Sequence, residues 1–119
     1  VLLIDSEQPI LDAMTVMLSD WGCWPRAFTH LQAAEKMIES ENYKPDLIIS
    51  DYRLSGSNTG VDVIRKLQEK WSDKIPALII SGDTDPELLE IIHRQDYYLL
   101  HKPVKPARLK KLIHIISVN

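Results

Sequence analysis

A chain of 119 residues has room for one compact domain and not for a second independent core. At 45% hydrophobic and 26% charged it has a soluble globular composition, which excludes a disordered or fibrous protein. A formal charge of -3 argues against a nucleic-acid binder, which carries a basic surplus. The one cysteine, Cys23, excludes an internal disulfide and fits a reducing compartment. Beside Trp21 and Trp24 it reads as a buried, inert thiol. No apolar run approaches the roughly 20 residues of a membrane span, and VLLI at the start meets Asp5 at once, so no signal peptide is visible. Cytoplasmic location, tethered or not to a sensor, is the expectation. The chain opens on a strand-like run without methionine, so residues 1–119 read as a single domain cut from something longer.

VLLI (1–4) is a buried-strand candidate. After Pro9, the apolar residues Ile10, Leu11, Met14, Met17, Leu18 and Trp21 keep helical spacing, and Gly22 closes the segment. A weaker strand follows around 23–28, then a helix with Leu31, Ala34, Met37 and Ile38 on one face. Pro45 introduces a clear strand, DLIIS (46–50). SGSNTG (55–60) is a loop by composition. Val63, Ile64, Leu67 and Trp71 mark a third helix, and Pro76 precedes ALII (77–80). A helix from about Pro86 carries Leu88, Leu89, Ile91 and Ile92. YYLL (97–100) is a fifth strand, and Leu109, Leu112, Ile113 and Ile116 mark the last helix.

Strand and helix thus alternate five times. The strands are continuously apolar, so both sheet faces are covered and the sheet is expected to be parallel. With right-handed crossovers, the best fit is an α/β (βα)5 doubly wound sheet of order 2-1-3-4-5. Any site then lies at the carboxyl ends of the strands, near the point where strand order reverses.

Just past the strands stand Asp5, Asp51, Ser81 and Lys102. The topology brings these two carboxylates, a hydroxyl and an ammonium to one edge of the sheet, a coherent set for phosphoryl transfer. Carboxylates hold a hard cation such as Mg2+, and one of them can serve as a nucleophile forming an acyl phosphate. Ser81 and Lys102 can stabilise charge on the transferred oxygens. Taken singly, each has a plainer role. Asp5 or Ser6 is a helix cap, Asp51 and Ser81 begin turns, and Lys102 is a surface charge. Four such accidents at four strand ends are a poorer explanation than one site.

VLLIDSE, PDLIISDYRLSG with TG following, ALIISGD and LLHKPVKPARL resemble, in order and over essentially the whole chain, the motifs of response-regulator receiver domains of two-component signalling. The resemblance implies a flavodoxin-like fold, a Mg2+ cofactor, and Asp51 as the residue that accepts a phosphoryl group. It makes Asp5 and Asp51 metal ligands, with Arg53 adding its backbone carbonyl. Ser81 would hydrogen-bond the phosphoryl group and Lys102 would pair with it, and Lys102–Pro103 would be a cis peptide. The implied partner is a histidine kinase or a histidine phosphotransfer domain, with homodimerisation common in the family. LLHKPVKPARL and the WGC after the first helix look most like receivers at the carboxyl end of hybrid sensor histidine kinases.

Three residues depart from the family pattern. Ser6 replaces the second of two tandem acidic residues, which weakens the expected hold on Mg2+; Glu7 is a further candidate ligand. Leu99 stands where an aromatic switch residue is usual, and Tyr98 beside it faces the other way by strand alternation. Ser81 replaces the commoner threonine and keeps the hydroxyl.

Arg53 and Asp83 flank the site as a candidate exposed pair, and two unrelated loop charges are an equal expectation. The basic run KPVKPARLKK lacks interleaved aromatics and fits a solvated helix face, with no direct nucleic-acid contact. His30, His93, His101 and His114 are dispersed without metal-ligand spacing. SGSNTG has no Lys-Ser/Thr sequel and is not a nucleotide P-loop. Two rivals to a phosphorylatable receiver remain. One is a receiver-like interaction module that ignores phosphate, kept alive by Ser6 and Leu99. The other is an aspartyl phosphohydrolase, disfavoured because Arg53 occupies the place of its second acid.

Overall fold

Five strands and five helices alternate in the computed structural model, which describes residues 1–54, 59–82 and 86–117. They are β1 (Leu2–Ile4), α1 (Gln8–Asp20), β2 (Arg26–Phe28), α2 (Leu31–Glu41), β3 (Ile48–Asp51), α3 (Gly60–Gln68), β4 (Ala77–Ser81), α4 (Pro86–Arg94), β5 (Tyr98–His101) and α5 (Pro106–Ser117). Every strand pairing is parallel and the order is β2-β1-β3-β4-β5, as the alternation of elements requires. The order reverses between β1 and β3, so the crevice at their carboxyl ends is the natural site.

Two apolar layers sandwich the sheet. On one face Leu2, Ile4, Ile48 and Ile79 pack with Ala34 and Met37 of α2, Ile64 and Leu67 of α3, and Leu88 and Ile92 of α4. On the other, Leu3, Ile49, Leu78, Ile80 and Leu100 meet Leu11, Met14 and Leu18 of α1 and Leu109 and Ile116 of α5. Alternate strand residues feed opposite layers, which is why the strands read as unbroken apolar runs. No helix among the described residues is long and apolar enough to cross a membrane.

Local chemistry sets the helix ends. Gly22 adopts φ +83 after α1, and its N–H and that of Cys23 return to the carbonyls of Ser19 and Leu18, closing the last turn. At α3, the Thr59 side chain accepts from the Asp62 N–H, and the Asp62 carboxylate accepts from the Thr59 N–H.

Three features differ from expectation. The strand over 46–50 forms as Ile48–Asp51 and that over 97–100 as Tyr98–His101. Asp96 turns at φ 61, and Tyr97 stays buried with its hydroxyl donating to Gln68 Oε1 at 3.1 Å, so the last strand starts one residue later. Cys23 is half-buried rather than enclosed, because neighbouring Trp24 points outward with 85% of its surface exposed.

Candidate functional site

Asp5, Ser50, Asp51 and Ser81 are the buried polar or charged residues among those described, and all four lie at the carboxyl ends of β1, β3 and β4. Burying such groups is unfavourable unless they are paired, so their gathering at the switch point marks a site rather than a packing solution. Asp51 ends β3 with 6% of its surface exposed; Asp5 follows β1 with 4%. Ser81 ends β4, 1% exposed.

Lys102 follows β5 and reaches across the edge, its Nζ 3.0 Å from Asp51 Oδ1. Its N–H donates to the Ser81 carbonyl at 2.9 Å, which fixes the base of the side chain against β4. The Lys102–Pro103 peptide is cis. Burial pulls the Lys102 ammonium down, but the hydrogen bond and charge of Asp51, with the charges of Asp5 and Glu7, outweigh it and leave the pKa above the ordinary value.

Asp5 caps nothing. Glu7 is the residue that precedes α1, and its N–H donates to Asp5 Oδ1 at 2.9 Å. The pKa of Asp5 is raised. Burial is the main cause, the Glu7 N–H opposes it, and the charge of Asp51 adds to it. Two buried carboxylates side by side, with oxygen donors only, suit a hard divalent cation. Glu7 itself is exposed, and no group of three or more His, Cys, Asp or Glu side chains gathers among the described residues.

The sheet edge therefore brings together Asp5, Asp51, Ser81 and Lys102. Arg53 lies just beyond β3, bridged to Thr59, with its guanidinium 5.9 Å from the centre of the Tyr52 ring. Asp83, its suggested partner, lies outside the described residues, as does most of the SGSNTG loop. Leu99 packs on the α2–α3–α4 face and Tyr98 on the opposite one, as alternation requires. Two residues at the site escaped the sequence. Ser50 is buried beside Asp51, and Gly60 is so close that a Cβ there would stand 2.3 Å from the Asp51 carbonyl oxygen.

Comparison with known proteins points the same way. The model of the response regulator receiver domain matches residues 1–114. The phosphoglycerate transport system transcriptional regulatory protein PgtA of Salmonella typhimurium is 32% identical over 114 residues, covering 95% of this chain and 26% of its own length. The putative two-component response regulator ARR21 of Arabidopsis thaliana is 26% identical over 119 residues, 100% of this chain and 19% of its own. The chain thus spans about a quarter or less of these curated relatives. Among solved structures, the receiver domain of NtrX from Brucella abortus aligns with a TM-score of 0.81 at 26% identity, covering 97% of this chain and 95% of that one. A response regulator receiver domain protein from Clostridium thermocellum aligns at 0.83 and 20% identity over 97% and 90% of the two chains, a likeness of fold. With its fold, strand order and buried edge in agreement, the chain belongs to the response regulator receiver domain family.

Proposed function

We propose that Asp51 accepts a phosphoryl group from a phosphohistidine in a Mg2+-dependent reaction. The observation that carries this is the buried Asp51 carboxylate held 3.0 Å from Lys102 Nζ, beside Asp5 and Ser81. Receiver domains work with Mg2+ and take phosphoryl groups from histidine kinases or phosphotransfer proteins. Here Asp5, Asp51 and the Arg53 carbonyl would hold the cation, which supplies charge neutralisation for the phosphoryl oxygens. Glu7, exposed at the start of α1, would act through its charge across the solvated mouth rather than as a third buried ligand.

An oxygen of Asp51 attacks phosphorus, the bond from phosphorus to the donor nitrogen breaks, and the imidazole leaves with the electron pair. Lys102 exchanges its carboxylate partner for a phosphoryl oxygen. The Ser81 hydroxyl, at the end of the neighbouring strand, donates to another. Positioning and charge compensation are most of what such a transfer asks of a protein. A parent hybrid kinase is a further proposal, resting on the wording of LLHKPVKPARL and WGC; the relatives named above are a transcriptional regulator and a response regulator.

The test is intact-mass analysis after incubation with acetyl phosphate, with and without Mg2+, on this chain and on Asp51→Asn. A gain of one phosphoryl group that needs Mg2+ and vanishes in the variant is expected. No gain at generous Mg2+ contradicts the proposal and favours the phosphate-independent interaction module.

A further inference from the structure

Among the buried polar residues at the sheet edge, Ser50 has no part in the proposed chemistry. It is fully buried, and strand alternation directs its side chain to the face opposite that of Asp51. Its hydroxyl donates to the carbonyl of Asp51 at 3.0 Å. The pairing of β1 with β3 ends at Ile4 and Ser50, one residue before this carbonyl. The Ser50 hydroxyl supplies a donor where the ladder stops, and a buried carbonyl needs one.

The same peptide is held at its N–H as well, and the next one in turn. The Tyr52 N–H donates to the Ile80 carbonyl at 2.9 Å, and the Tyr52 carbonyl accepts from the Gly60 N–H at 2.8 Å. Arg53 bridges to Thr59. Helix α3 can approach this closely only because Gly60 has no Cβ, which would meet the Asp51 carbonyl oxygen at 2.3 Å and Ser50 Oγ at 3.1 Å. The peptide between Asp51 and Tyr52 is therefore held at its carbonyl by Ser50 and at its N–H by β4, and the one after it by α3. This short segment carries the proposed nucleophile at one end and the proposed Arg53 carbonyl ligand at the other.

We infer that Ser50 is a positioning residue for the metal and phosphoryl site. By holding the carbonyl end of the Asp51–Tyr52 peptide, whose N–H end β4 holds, it sets the spacing between the Asp51 carboxylate and the Arg53 carbonyl. This rests on the proposed function, since both groups are ligands only on that proposal. Losing the hydroxyl leaves the peptide held at its N–H alone, so its carbonyl end can tilt and the two oxygens no longer arrive at one spacing. Residues that orient metal ligands typically matter by 10–100-fold in affinity, so a loss of roughly tenfold is expected here.

The experiment compares the chain with Ser50→Ala and Ser50→Thr, reading Mg2+ binding by calorimetry and phosphoryl gain from acetyl phosphate across a Mg2+ series. Both are read well below the melting temperature, where a general loss of stability leaves ligand affinity unmoved. In Ser50→Ala the Mg2+ dissociation constant and the half-maximal Mg2+ concentration should rise together by about tenfold. Ser50→Thr, which keeps the hydroxyl, should restore both. An alanine variant that is less stable but binds Mg2+ as the parent does would overturn the inference. So would a folded Ser50→Thr that behaves like alanine; if the threonine variant does not fold, the alanine arm decides alone. Should the unaltered chain gain no phosphoryl group, the proposed function fails, while the calorimetric comparison still judges Ser50.

Discussion

Asp5 exposes only 4% of its surface, beside a second carboxylate that exposes 6%, and its pKa is raised above the ordinary 3.8, chiefly by burial. A carboxyl group with a raised folded-state pKa contributes stability below its unfolded pKa. That contribution is lost as pH rises through the folded value. At pH 7 without Mg2+, ionised Asp5 is thus a burden, and Asp5→Asn should melt at a higher temperature than the parent chain. The difference should shrink as pH falls through the raised pKa. Lys102 does not intrude in this window, because its raised pKa matters only above 10.5. Added Mg2+ should reverse the order, since ligand binding to the folded state stabilises only a chain that keeps the site. Melting curves at pH 7 and pH 4.5, with and without Mg2+, check all of these signs.

Gly60 gives a second residue-scale prediction. At the first position of a helix alanine is ordinarily the better residue, yet here its Cβ would press 2.3 Å from a backbone oxygen. Gly60→Ala should therefore destabilise by about 1–3 kcal/mol, measured by denaturant unfolding. The four site residues were legible because each follows an apolar run ended by a polar residue. Ser50 was not. It closes the apolar run just before Asp51, and its proposed role depends on where the neighbouring strand stops, which no local pattern records.

At the scale of elements, α3 owes its start to the reciprocal bonds of Thr59 and Asp62. Removing the Thr59 hydroxyl leaves the Asp62 N–H unmet, so Thr59→Ala should cost about 1 kcal/mol in denaturant unfolding. Because Thr59 also bridges to Arg53, the same change should loosen the segment after Asp51. The type and order of the elements were plain from the sequence, while their ends were not. In a parallel sheet buried on both faces, Leu47 and Tyr97 are as apolar as the strand residues they precede, and no alternation marks where pairing begins. Gly22 did mark the end of α1, because a positive φ there suits glycine. The half-exposed surroundings of Cys23 were misjudged because two tryptophans in sequence suggested enclosure, and Trp24 instead faces solvent.

Across the whole molecule, one topological fact organises the site. The order β2-β1-β3-β4-β5 reverses beside β1 and β3, and the polar residues that the core excludes collect at that end. The sandwich on either side supplies stability; the edge gathers the residues of the proposed chemistry. Ser6, half-buried just after β1, and Leu99, on the α4 side of β5, are the positions where the sequence departs from the pattern the resemblance implies. The most direct measurement is to place the phosphoryl group on the chain. After treatment with acetyl phosphate and Mg2+, borohydride reduces an aspartyl phosphate to homoserine, and peptide mass spectrometry locates it. Homoserine at position 51, and at no other aspartate, is the predicted result. A reduced residue elsewhere, or none despite saturating Mg2+, would contradict the assignment of Asp51 as the phosphoacceptor.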